Sequence, residues 1–191
     1  MDRRTYLASL GATSTAALAG CALPSANTTL DDPTVRTDDG ETHLIYRNDE
    51  GRVAVTTVQY GPVSDWDLVR MQLSVWHRDG TTVDDLAVTV SNRSPATATP
   101  EIYLAAPSGQ FPPVHFSRPE NADGRGFEIP DVDEVGAGTV TIEWFLRSYA
   151  DDWPIALAVD VSYALDAGLL DGYAVEGTLD FSIDQPPQDD T

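Results

Sequence analysis

Over most of residues 42–184 apolar and polar side chains alternate with a period of two, the main break being Ala106 to Gly126, and that alternation limits the fold more than any other feature. Val69, Met71, Leu73 and Val75 share one face of a strand, and Arg70, Gln72 and Ser74 take the other. Val140, Ile142, Trp144 and Leu146 oppose Thr139, Thr141, Glu143 and Phe145. Ile155, Leu157, Val159, Val161 and Tyr163 oppose Ala156, Ala158, Asp160 and Ser162, and Tyr173, Val175, Leu179, Phe181 and Ile183 form one face of a last strand. One apolar face per strand marks antiparallel sheet with one side in water. Asn48-Asp49-Glu50-Gly51 and Asp79-Gly80 have the chemistry of tight turns between strands. Strands at this spacing, without a convincing amphipathic helix, predict an all-β fold: a single antiparallel, immunoglobulin-like β-sandwich of about eight or nine strands.

Weaker strand signals lie at Glu101 to Ala105, Val114-His115-Phe116 and Phe127 to Ile129, set among Pro- and Gly-rich connections. Asp166 to Asp171 is either one helical turn or a tight loop. Residues 22–41 lack periodicity and have the Pro, Asp, Thr and Asn content of a linker. The expected organisation is a signal segment over 1–20, a linker over 21–41, the sandwich over 42–184 and an acidic disordered tail over 185–191. The sandwich segment is long enough for one domain with a sizeable core.

The first residues indicate location. Arg3-Arg4 precedes a weakly apolar run from Tyr6 to Ala19, too short for a bilayer core of roughly 30 Å. A paired arginine ahead of such a run reads as a twin-arginine export signal. The run closes in Leu18-Ala19-Gly20-Cys21, which resembles a lipobox. That resemblance implies cleavage before Cys21, a lipid on its thiol and display on the outer face of the cell membrane. Cys21 is the one cysteine of the chain, so no intramolecular disulfide forms and the domain rests on its core. Asn27-Thr28-Thr29 is an N-glycosylation sequon, which marks Asn27 as a candidate glycan site.

Charge narrows the partners. All 11 bases are arginine, against 31 acids, for a net charge of −20. Loss of residues 1–20 would leave 9 bases and 30 acids, a net −21. The acids are spread along the chain, as on a solvated surface. The composition and the signal together resemble secreted lipoproteins of extremely halophilic archaea. Nucleic acid is not an expected partner, because it calls for a basic face. The expected contacts are the membrane, through the lipid on Cys21, and a protein or glycan at the cell surface.

No catalytic or cofactor motif is present, and neither an enzyme activity nor a cofactor is expected. His77-Arg78-Asp79 matches three letters of a kinase catalytic loop without its following Leu or downstream Asn. A blue-copper site needs a thiolate, and Cys21 is committed to the anchor. The alternatives are a metal-binding surface protein using His43, His77 and His115, or acidic loops at 120–124 and 131–134 for Ca²⁺, and a small hydrolase using a pair such as Asp84-Asp85 or Asp151-Asp152. For a partner surface the sequence favours the loop from Ala106 to Gly126. There Phe111, His115 and Phe116 supply aromatic side chains, and Arg118 and Arg125 supply scarce positive charge. The competing reading is that Phe111 and Phe116 tuck under the sandwich as staples. The leading functional expectation is a binding or accessory module.

A net charge this large repels itself in dilute buffer and is screened within roughly 3 Å at about 1 M salt. The unfolding midpoint should therefore fall as salt is lowered from molar to about 0.1 M. A flat dependence in a thermal-denaturation series would sink the argument.

Overall fold

The computed structural model describes residues 28–38, 41–63, 68–93, 101–104, 113–117, 124–130, 132, 138–147, 155–168 and 172–183, the side chains of 62, 63 and 104 excepted. Among the described residues twelve strands form two six-stranded sheets that face each other as an immunoglobulin-like sandwich. They are β1 (Thr28–Leu30), β2 (Thr34–Asp38), β3 (Glu41–Asn48), β4 (Gly51–Val63), β5 (Leu68–His77) and β6 (Thr82–Asn92), then β7 (Glu101–Leu104), β8 (His115–Ser117), β9 (Gly124–Ile129), β10 (Thr139–Arg147), β11 (Ile155–Asp166) and β12 (Gly172–Ile183). The first sheet runs β1-β12-β11-β6-β9-β8 and the second β2-β3-β4-β5-β10-β7. All pairings are antiparallel except that of β1 with β12.

The count exceeds the expected eight or nine because the segment read as linker contributes β1 and β2, and because the weak signals at Val114-His115-Phe116 and Phe127 to Ile129 both form strands, β8 and β9. These strands have no apolar alternation. They are held by edge hydrogen bonding, β1 on the first sheet and β2 on the second, and residues 31–33 cross between them. The expected linker therefore ends before residue 28.

The core follows from the alternation. Leu44, Val58, Met71, Leu73, Val88, Val90, Phe127, Trp144, Val159 and Leu179 are all buried to within 1% exposure. Phe127 of the first sheet meets Trp144 of the second edge to face, with ring centres 5.7 Å apart. The Thr56 and Tyr163 hydroxyls, one from each sheet, bond across the core at 2.9 Å. Burial pushes the Tyr163 phenol well above the ordinary tyrosine range, and that of Tyr46 as well, so both stay neutral hydroxyls.

The ends are closed by specific contacts. Asn48 Oδ1 accepts the backbone N–H groups of Glu50 and Gly51, which shapes the β3–β4 turn. Gly80, with φ of 82°, supplies the left-handed residue of the turn after β5. Arg78 of that turn lies over the Tyr173 ring at 5.3 Å, donates to its hydroxyl at 2.8 Å and pairs with Glu50 at 3.2 Å. The kinase-like triplet is thus a clamp between the sheets. At the opposite end Tyr60 packs edge-on against Phe181 and donates to the Ser182 carbonyl at 3.1 Å.

β12 packs tightly against β3 at Gly177. A Cβ there would collide with the Tyr46 hydroxyl and lie 2.6 Å from Leu44 Cδ1. Gly177→Ala should destabilise the domain by about 1–3 kcal/mol, the range for overpacking a filled core. Among the described residues the buried Tyr46 hydroxyl makes no well-formed hydrogen bond and interacts only weakly with Thr56, whose hydroxyl bonds Tyr163, so Tyr46→Phe removes an obstacle at little cost in bonding. The pair Gly177→Ala with Tyr46→Phe should recover part of the loss in chemical denaturation. No recovery would show that the strain lies elsewhere.

Candidate functional site

The outer faces of the two sheets differ in charge and in kind. On the first sheet Asp84, Glu128, Asp160, Asp166, Glu176 and Asp180 point outward, set among small residues such as Ala87, Thr89, Ala156 and Ser162. Arg93 is its one outward arginine among the described residues, paired with Asp180 at 3.2 Å.

The outer face of the second sheet carries Arg36, Arg47, Arg52, Arg70 and Arg147, five of the eight described arginines, against Asp38, Glu41, Glu101 and Glu143. In a chain of net −20 this face is slightly positive. Register sorts it into cross-strand rows. Thr139, Trp76, Val55 and Ile45 lie side by side near one end. Thr141, Ser74, Thr57 and His43 form the next row, tied by Ser74–Thr141 at 3.2 Å and His43 Nδ1–Thr57 at 2.9 Å. Glu143, Gln72, Gln59 and Glu41 follow, and then Tyr103, Phe145 and Arg70.

Two large side chains stand out from this face. Trp76 is 39% exposed, with the Arg52 guanidinium 5.8 Å from its ring centre, and Tyr103 is 44% exposed. Six residues of β5 separate the Trp76 row from the Arg70 row, roughly 20 Å at the rise of a strand. Among the described residues no carboxylate pairs with Arg47 or Arg70. Sequence parity places Trp76 opposite the Met71–Val75 stripe. It does not reveal Arg52 above it, because a register shift at Tyr46/Arg47 sets that neighbour.

The loop favoured in the sequence is only partly described. Phe111 and Arg118 lie outside the described residues, as do Arg3, Arg4, Leu18, Ala19, Gly20, Cys21 and Asn27. His115, Phe116 and Arg125 are described, and the fold divides them. His115 pairs with Glu128 on the outer face of the first sheet. Phe116 pairs with Phe127 on the core side, and Arg125 follows the same side one pleat along β9. Phe116 is nevertheless 63% exposed. β7, the edge of the second sheet, approaches β9, so β8 extends past the covered area and Phe116 does not act as a buried staple.

The three histidines do not converge. His43 lies on the outer face of the second sheet, His77 is buried against Thr81 with Nδ1 and Oγ1 3.0 Å apart, and His115 sits on the far edge of the first. Among the described residues no three His, Cys, Asp or Glu side chains cluster as metal ligands do. Residues 120–123, 131, 133, 134, 151 and 152 lie outside the described residues. Asp85 has φ of 44°, and its N–H bonds the Asp84 carboxylate at 3.0 Å, which makes that pair part of an irregularity in β6. An open groove of about 400 Å³ lies between β2 and β12, lined by Asp31, Pro33, Val35, Glu176, Gly177 and Thr178.

Residues 27–185 match the family described as Domain of unknown function (DUF8121). The chain belongs to the DUF8121 family. No curated protein matches this DUF8121 domain. Among solved structures it is similar to the collagen-binding domain of a Staphylococcus aureus adhesin, at 13% identity over 66% of this chain and 95% of that one, TM-score 0.39. It is also similar to ACE19, the collagen-binding subdomain of the Enterococcus faecalis surface protein ACE, at 9% identity over 68% and 95%, TM-score 0.42. A third similarity is to the yeast delta-COP-I mu-homology domain, at 11% identity over 66% and 54%, TM-score 0.38. At these identities and scores no property of those proteins transfers to the DUF8121 chain.

Because Phe116 is largely in water, Phe116→Ser should move stability by no more than about 0.5 kcal/mol. Phe127→Ala, one strand inward and fully buried, should cost about 3–5 kcal/mol. Equal losses in denaturant titrations would show that Phe116 is a staple after all.

Proposed function

We propose that this chain is a lipid-anchored binding module on the outer face of the cell membrane, presenting the outer face of its second sheet to a component of the envelope. The observation that carries the reading is the contrast between the faces: five scarce arginines and two protruding aromatic rings share one face of an otherwise acidic sandwich. Arginine and aromatic side chains are the residue types that dominate binding energy at recognition surfaces. Holding like charges together on a chain of net −20 calls for a partner that uses them. The Arg3-Arg4 pair and the Leu18-Ala19-Gly20-Cys21 box support export and anchoring, and the resemblance to halophile lipoproteins supports a setting in high salt.

Two variants test this reading together. Cys21→Ser should release the protein into the medium or leave the precursor uncleaved. Persistence of that variant in the membrane fraction at normal size would refute the anchor. The released protein, added to washed envelopes of cells lacking it, should bind, and Arg47→Glu with Arg70→Glu should weaken binding roughly tenfold or more, as removal of matched charges does. Glu176→Gln on the opposite face should leave it unchanged. Binding that ignores the arginine changes would place the partner on another surface.

A further inference from the structure

The chemistry of the second sheet's outer face selects among classes of ligand. This step rests on that face being the binding surface. Between the Trp76 row and the Phe145–Tyr103 row lie two rows of amides, hydroxyls and one imidazole, Gln72, Gln59, Ser74, Thr141, Thr57 and His43, with Glu143 and Glu41 at the ends of the amide row. Such a surface is polar. A protein partner of ordinary size needs a desolvated apolar centre, and here the centre is the polar part. A ligand made mostly of hydroxyl groups fits better, because amides and hydroxyls both donate and accept hydrogen bonds. Aromatic rings standing out from the sheet at the two ends suit the flat faces of sugar rings, which pack their C–H groups against apolar surface.

The arginines add a sign to the ligand. Arg47 and Arg70 lack carboxylate partners among the described residues, and a planar guanidinium matches a carboxylate through two parallel hydrogen bonds. The face also carries acids. Glu41 and Glu143 lie in the row between the Trp76 and Arg70 ends, and Glu101 sits beside Arg147. A DNA strand carries a phosphate at every linkage and no free hydroxyl groups along its chain to set against these acids. A uronic-acid polymer carries free hydroxyl groups on every ring beside its carboxylates, so it can meet the arginines and pass the glutamates with hydroxyl groups.

We propose that the outer face of the second sheet binds an acidic polysaccharide of uronic-acid type. Its chain runs from Trp76 toward Phe145 and Tyr103. Trp76 stacks one sugar ring, Gln59 and Gln72 bond ring hydroxyls, and Arg70 and Arg47 take carboxylates at opposite ends. At molar salt, where charges act over roughly 3 Å, the arginines contribute through direct contact and the rings carry much of the rest.

The test uses the full chain and four soluble polymers in calcium-free molar salt: polygalacturonate, its fully methyl-esterified form, polyglutamate and single-stranded DNA. The expected result is binding to polygalacturonate, with roughly tenfold or greater loss on esterification and little binding to the other two. Trp76→Ala should lower affinity roughly tenfold, Trp76→Phe should restore most of it, and Arg70→Gln should lower it by a similar factor. If Trp76→Ala lowers the unfolding midpoint, Trp76→Phe and Arg70→Gln still decide the matter. No binding to polygalacturonate, equal binding to the ester or to polyglutamate, tighter binding to DNA, or affinity unchanged by Arg70→Gln would each overturn the proposal. Polygalacturonate failing while envelope binding still depends on Arg47 and Arg70 would remove the ligand class and leave the binding face standing. Loss of both would remove the face itself.

Discussion

Everything in this domain depends on two apolar sheet faces held in contact with no covalent link between them. Cys21 is the single cysteine, so no intramolecular disulfide joins the sheets. What replaces it is full burial of residues such as Trp144, Phe127, Leu73 and Val159, with one hydroxyl pair, Thr56–Tyr163, bonding across the core. Such burial is worth about 25 cal/mol per Å² of apolar surface, and it must outweigh chain entropy and the repulsion of a net −20. Strict alternation serves both needs. It sends nearly every carboxylate outward on the same strands that bury the core, so charge crowds the surface and stays out of the interior.

That alternation is why β3 to β6 and β10 to β12 are legible in the sequence, while the short strands β7 to β9 leave only weaker signals. The faces of β5, β10, β11 and β12 follow from parity, and the buried and exposed positions agree except at Ala158, Ala164 and Ala174, small residues that are covered although they face outward. β1 and β2 are not legible, because an edge strand held by backbone hydrogen bonds needs no apolar stripe. Thr34-Val35-Arg36-Thr37 keeps Val35 60% exposed, so burial leaves no mark on that sequence. Phe116 illustrates a different gap. Parity puts it on the core side, correctly, yet the offset between the sheets leaves that side uncovered at β8.

The candidate face is less legible than the fold for a topological reason. Trp76, Tyr103, Arg47 and Gln59 sit on β5, β7, β3 and β4, and only the strand order brings them to one surface. Sequence proximity favours Phe111, His115, Phe116, Arg118 and Arg125 because they are neighbours in the chain. In the fold His115 and Phe116 point to opposite sides of one short strand, which is what adjacent residues of any strand do. A cluster in sequence is therefore weak evidence for a cluster in space in an all-β protein. Residues of like parity in paired strands are stronger evidence, once the pairing is known.

The early start of β1 also changes how the proposed anchor works. With a lipid on Cys21, only residues 22–27 separate the anchor from a strand fixed to β12, a reach of at most about 20 Å when fully extended. The following residues pass directly to β2 on the other sheet, so both sheets are secured at the same edge. A domain anchored in this way would not sample the space beyond the cell as one on a long stalk would. Its partner would have to come to within a domain's width of the membrane. An extended polymer threading the envelope meets that requirement along its whole length, whereas a compact protein must be brought to the same depth. The short tether that such an anchor would leave and the polar face, which belong to different parts of the chain, would thus bear on the same kind of ligand.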